Sequence, residues 1–258
     1  MSTLGGERPP VTVAVGQEEI EAVLKVGSCT VAWQPIVDLA TREVLGYEAL
    51  ARFGGIDDAD VTSATEWFSA ASFAGVRDRL ELLAVSSAFA EFQRLPETVF
   101  VSINVSPATV TSAAFEELLG AVPGERLVLE ISEAAVAYAE TEEVLAVLER
   151  LRKEGMRVAL DDTGSGPASL RQLLGIDPDI IKIDTDIVHG IDEDEMRQAI
   201  AYALASLADR AGAISLAEGV ETEGEAEMLT SLGVKAAQGF LFGRPAELSS
   251  YDDSEGAA

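Results

Sequence analysis

The chain carries a single cysteine, Cys29, so no intramolecular disulfide can brace it. That scarcity fits a reducing compartment, and a cytoplasmic location is the expectation. Cys29 itself lies in the strand-like run SCTVAWQPIV and reads as a small packed hydrophobe. Histidine is equally rare. His189 alone, in VHGIDED, reads as a loop residue and cannot by itself build an imidazole metal site. Basic residues are few: Lys plus Arg number 18 against 45 Asp plus Glu, a formal net charge of -27. Such a surface is repelled by nucleic-acid backbones and by anionic lipid, so neither is expected as a partner. No stretch holds the roughly 18 unbroken apolar residues of a membrane helix, and the opening MSTLGGERPP lacks the apolar centre of a signal peptide. No internal repeat or low-complexity linker divides the interior. The expectation is a single domain over residues 15–247, between a flexible start (1–14) and a disordered acidic tail (248–258).

What is present is a core. Hydrophobic residues make up 48% of the chain, enough for one large domain. Eight short runs rich in Val, Ile, Leu or aromatics read as strands: TVAWQPIV, EVLGYEALARF, TVFVSINVS, RLVLEISE, RVALDD, IIKID, AISLAEGV and AAQGF. Between most of them lie segments with apolar residues at spacings of three and four, clearest in VRDRLELLAVSSAFAEFQRL, TEEVLAVLERLRKEG, EDEMRQAIAYALASLADRAG and EGEAEMLTSLG. Thr141 resembles a helix start, and Gly155 and Gly212 resemble helix stops. Strands alternating with helices predict an α/β fold, a TIM-like (β/α)8 barrel. The first pair of runs breaks the pattern. Only LATR separates TVAWQPIVD from EVLGYEALARF, too short for a parallel crossover, so the first strand is expected to be antiparallel and the barrel a modified one.

Polar residues interrupt these runs at their C-terminal ends. Glu48 and Arg52 come late in the second, Asn104 and Ser106 end the third, and Glu130 and Glu133 the fourth. Asp161 and Asp162 end the fifth, Lys182 and Asp184 the sixth, Glu218 and Glu221 the seventh, and Gln238 follows the eighth. In a β/α barrel those ends converge on one face, where active sites are built. Glu48, Glu130, Asp161, Asp162 and Glu218 would then crowd one mouth, with Lys182 and Arg52 as the evident counter-charges. Such carboxylates either take up protons or hold cations. An all-oxygen donor set suits hard ions such as magnesium and manganese. Adjacent Asp161 and Asp162 can reach two ions about 3.5–4 Å apart, the usual apparatus for in-line phosphoester hydrolysis. Each residue alone has a plainer reading: Asp161-Asp162 as a helix cap, Lys182 as a barrel-internal ion pair, Asn104 as a turn residue.

Taken together, these motifs resemble the EAL-domain cyclic di-GMP phosphodiesterases from about Val31 to Pro245. The resemblance is carried by Glu48-Ala49-Leu50 with Arg52, by SINVS with Asn104, and by LEISE with Glu130 and Glu133. It continues through LDDTGSG, IKID with Lys182 and Asp184, AEGVET with Glu218 and Glu221, and AQGFLFGRP with Gln238. It implies hydrolysis of cyclic di-GMP to linear pGpG with two divalent cations, magnesium or manganese. Glu48, Asn104, Glu130 and Asp161 would bind the first ion, and Asp161, Asp162 and Glu218 the second. Lys182 would assist the attacking water, so that catalysis would rest on Glu48, Asp162, Lys182 and Glu218. Arg52, Gln238 and Leu50 would contact the nucleotide. Glu133 would anchor the loop after Asp162, and Glu221 and Asp184 would support the site from behind. The chain departs from the family where Thr163 replaces an aromatic, Pro167 a tyrosine and Ala168 a serine. It also lacks the proline-bearing stretch and Ala-Glu pair after Arg52. In the family the altered loop couples dimer contacts to the metal site. A homodimer through GSGPASLRQLLG or AIAYALASLA is one expectation. A catalytically impaired receptor or interaction module, and a barrel cleaving another phosphodiester, are the competing readings.

Overall fold

The computed structural model describes residues 15–54, 64–132, 141–163 and 176–248. Strands β1 (Thr30–Asp38) and β2 (Val44–Arg52) form the expected antiparallel hairpin. Its turn is an Asx type: Asp38 Oδ1 accepts the N–H of Ala40 at 2.9 Å and of Thr41 at 2.8 Å. The register sets Thr30 opposite Arg52 and Gln34 opposite Glu48. From β2 the sheet runs parallel through β3 (Phe100–Asn104), β4 (Leu127–Ser132), β5 (Arg157–Thr163), β6 (Ile180–Ile183), β7 (Ile214–Ala217) and β8 (Ala236–Ala237). Strand β8 pairs antiparallel with β1 and closes the eight-stranded barrel. The fold class read from the sequence is the one observed, reversed first strand included.

Helices wrap the outside. Helix α1 (Gln17–Val26) and α2 (Ala64–Phe73) lean on the start of α3 (Arg77–Glu91) through Ile20, Trp67, Ala71 and Leu80. Short α4 (Pro107–Val110) and α5 (Ala113–Leu119) follow β3, and α6 (Thr141–Lys153) leads into β5. Helix α7 (Thr185–Val188) follows β6, α8 (Glu195–Ala211) precedes β7, and α9 (Glu223–Ser231) precedes β8. The caps are local chemistry. The Asp194 carboxylate accepts the N–H groups of Met196 and Arg197 at the head of α8, and Gly155 and Gly212 end α6 and α8 at φ 95° and 75°. No helix among the described residues is long and apolar enough to cross a membrane.

Inside the barrel, the two-residue period of the strands builds two storeys. Ile36, Phe100, Val128, Ala159, Ile180, Leu216 and Ala236 pack together as an apolar floor. Two positions along each strand, towards the mouth, stand Gln34, Ser102, Glu130, Asp161, Lys182, Glu218 and Gln238. Gly46 leaves room in the floor for the Phe100 ring, which a Cβ would meet at 2.5 Å, and Glu48 stands two residues beyond it. The polar storey is thus sealed below by hydrocarbon, so its charges must find partners within their own layer.

Candidate functional site

The partners converge on Lys182. Lys182 is 1% exposed. Its Nζ lies 2.5 Å from Glu130 Oε2, 2.8 Å from Glu218 Oε1, 3.1 Å from Asp161 Oδ1 and 4.0 Å from Glu48 Oε1. A collar of neutral donors surrounds the carboxylates. Ser102 Oγ donates to Glu130 Oε1 at 2.5 Å and Asn104 Nδ2 to Glu48 Oε1 at 2.8 Å. Gln238 Nε2 donates to Glu48 Oε2 at 2.7 Å and to Glu218 Oε1 at 3.2 Å. Strand ends β2 to β8 therefore each place a side chain in one cluster, as the convergence of parallel strand ends requires.

Four carboxylates around one ammonium are over-supplied with negative charge. Burial pushes Glu130 well above the carboxylate range, and Glu48, Asp161 and Glu218 add to the shift against the pull of Lys182. Glu218 is raised to about 8, first by burial, then by Asp161 and Glu48, with Lys182 opposing. Burial alone would lower Lys182, yet the surrounding carboxylates outweigh it and hold the ammonium charged, well above its ordinary value. Among the described residues, two buried acceptors stay without a hydrogen bond, Asp161 Oδ1 and Gln238 Oε1. Lys182 stands near Asp161 Oδ1, so that contact is an ion pair without hydrogen-bond alignment. Surplus negative charge, oxygen-only donors and unspent acceptors fit a divalent cation. Among the described residues no three acidic, histidine or cysteine side chains already stand at ligand spacing; Lys182 occupies the space between them.

The remaining predicted residues sit around this cluster. Arg52 donates to the carbonyl of Ala51, and burial lowers its pKa while Glu48 opposes. Leu50 lines a cavity of about 420 Å³ beside the cluster, together with Phe68, Arg77, Glu81, Asn104 and Ser106. Glu221 is half-exposed and faces His189 Nε2 at 4.0 Å. Asp184 caps α7, accepting the N–H of Asp186. Glu133, the side chain of Asp162 and the altered loop with Pro167 and Ala168 lie outside the described residues.

Three contributors escaped the sequence reading. Ser102 interrupts the apolar run FVSIN, which is a usable signal. Glu81 is not signalled at all: it sits on α3, yet is 4% exposed. Its carboxylate accepts from Ser106 N and Oγ, Thr109 Oγ1 and Arg77 Nε, tying the end of β3 to α3. Glu225 does similar work on the opposite side of the mouth. Gly239 follows Gln238 and presses against the backbone of Val220, where a Cβ would lie 2.1 Å from the carbonyl oxygen. Backbone cannot yield as a side chain can, so Gly239→Ala is expected to cost about 3 kcal/mol. Urea unfolding checks this, and a loss under about 1 kcal/mol would show that the loop gives way.

The EAL domain model matches residues 17–245. The chain belongs to the EAL domain family. Among curated relatives, the probable cyclic di-GMP phosphodiesterase PdeI of Escherichia coli (strain K12) is 30% identical over 247 residues, covering 91% of this chain and 31% of that protein. The EAL domain thus spans about a third of that relative's length. Among solved structures, the calcium and cyclic di-GMP complex of Klebsiella pneumoniae BlrP1 superposes with a TM-score of 0.74 at 33% identity, over 84% of this chain and 56% of that one. An EAL domain protein from Listeria monocytogenes EGD-e gives a TM-score of 0.81 at 24% identity, over 95% and 99% of the two chains, and speaks for the fold. PdeI is thus named a probable cyclic di-GMP phosphodiesterase, and BlrP1 has been crystallised with calcium and that nucleotide.

Proposed function

We propose that this EAL domain hydrolyses cyclic di-GMP to linear pGpG with two divalent cations, magnesium or manganese. The observation that carries the reading is the ring of Glu48, Glu130, Asp161 and Glu218 about Lys182, with acceptors at Asp161 and Gln238 left over. A site kept only for stability would match its charges; with its carboxyls ionised, this one carries more negative charge than Lys182 offsets. The nucleotide is suggested by the names of PdeI and of the BlrP1 complex.

Glu48, Asn104, Glu130 and Asp161 would hold the first cation, and Asp161, Asp162 and Glu218 the second. Bound there, the cations would polarise the phosphate and lower the pKa of the attacking water. Lys182, kept charged by its neighbours, would steady negative charge on the phosphate or orient the water through Nζ. Gln238 and Asn104 would orient the Glu48 carboxylate through their amide donors. Arg52 would pair with a phosphate oxygen, and Leu50 would present an apolar wall to the nucleotide. Glu133 would anchor the loop after Asp162, while Glu221 and Asp184 would hold the loops after β7 and β6.

The test is incubation of the purified protein with cyclic di-GMP in magnesium, manganese or chelator, followed by separation of nucleotides. Linear pGpG formed only with metal is the expected result. Uncut nucleotide in every condition would overturn the reading, and its tight binding would then mark a receptor.

The raised carboxyls give a second expectation. Glu218, at about 8, holds its proton at neutral pH without cations, and a cation needs it deprotonated. Manganese binding at pH 7 should therefore release protons. The apparent Kd should fall by roughly tenfold per pH unit for each proton released, between about pH 6 and 8, and flatten above. Calorimetry in buffers of different protonation enthalpy measures both. A pH-independent Kd would mean that these carboxyls do not bind the ion.

A further inference from the structure

Glu225 lies in the first turn of α9 and is 5% exposed. Its Oε1 accepts the N–H of Gly190 at 3.0 Å, and its Oε2 accepts the N–H groups of Glu221 at 2.9 Å and Thr222 at 3.0 Å. A capping box needs only the exchange with Thr222, whose Oγ1 accepts the N–H of Glu225. The bonds to Gly190 and Glu221 exceed that need. Gly190 closes α7, just beyond the strand that carries Lys182. Glu221 ends the loop that begins at Glu218.

The same loop is pinned from other sides. Glu218 N donates to the Ile183 carbonyl at 3.0 Å, and Val220 N to the Gln238 carbonyl at 3.1 Å. Gly219, at φ 70°, lies so close to Thr185 that a Cβ would meet its side chain at 2.5 Å. The loops after β6, β7 and β8 are thus stitched together, and the Glu225 carboxylate binds two of them by charge-assisted bonds. We infer that Glu225 is a positioning residue, which sets the loops after β6 and β7, next to Lys182 and Glu218, so that the cluster keeps its spacing for cations. This rests on the phosphodiesterase reading above.

Full-length wild type, Glu225→Ala and Glu225→Gln are compared in three measurements: manganese binding to metal-stripped protein by calorimetry, kcat and KM on cyclic di-GMP, and Tm. Glu225→Ala should weaken manganese binding and lower kcat by about 10–100-fold, with KM little changed. Glu225→Gln keeps one accepting oxygen and should fall between, roughly 3–10-fold down. A folded Glu225→Ala that keeps wild-type manganese affinity and kcat while losing only Tm overturns the inference, because Glu225 is then a helix cap and no more. Should that variant not fold, wild-type values in Glu225→Gln overturn it equally. Wild type that neither binds manganese nor cleaves the nucleotide overturns the phosphodiesterase reading, and the inference falls with it.

Discussion

Lys182→Met is expected to cost the metal-free protein about 3–5 kcal/mol and to recover most of that when manganese is added. Lys182 is the ammonium that all four carboxylates of the polar storey face. Without it, Glu130 and Glu218 sit over the apolar floor with neutral donors as their remaining described contacts. Divalent cations would replace the missing charge, so the variant's stability should gain more from metal than the wild type's does. Urea unfolding followed by circular dichroism, in chelator and in manganese, reads the difference directly. Equal stability of variant and wild type in chelator would show that protonation of the carboxyls alone neutralises the cluster.

Glu48→Ala should lower kcat at least about a thousandfold, a barrier increase of about 4 kcal/mol, with the fold retained. The two effects separate for a physical reason. Glu48 adds to the repulsion that raises Glu130 and Glu218, so its removal relieves the metal-free protein. That gain is offset by the amide donors of Asn104 and Gln238 left facing each other across a small void. Unfolding free energy should thus change by no more than about 2 kcal/mol. Rapid-quench hydrolysis of cyclic di-GMP beside a thermal melt makes the comparison. Turnover like the wild type's would remove Glu48 from the cation site.

The barrel was legible in the sequence because each strand is a short apolar run, and its mouth because single polar residues break those runs at matching ends. LATR betrayed the reversed first strand by length alone. Helices α3, α6, α8 and α9 announced themselves by apolar spacing and, at Gly155 and Gly212, by their stops. Helices α1 and α2 did not: ATEWFSAASF is small or apolar on most faces, so no stripe stands out, and QEEIEAVLKV follows a Pro- and Gly-rich start. In the site, Glu48, Asn104, Glu130, Asp161, Lys182, Glu218 and Gln238 were readable and do meet. Glu81 and Glu225 were not readable. On a helix, an isolated glutamate looks like a solvated surface residue, and only packing against a loop far away in sequence buries it. Asp184 and Glu221 had the right position in the motif, but their carboxylates turn to a helix N-terminus and to His189, contacts that spacing cannot foretell.

The reversed first strand has a further consequence. In a barrel whose strands all run the same way, the chain enters through the floor. Here Thr30 enters beside Arg52, at the rim, and β1 descends from there to its turn with β2. The segment leading through α1 is therefore tethered to the doorway of the site. A pull on that tether would be felt first at the strand flanking Arg52 and only afterwards by the hydrocarbon beneath.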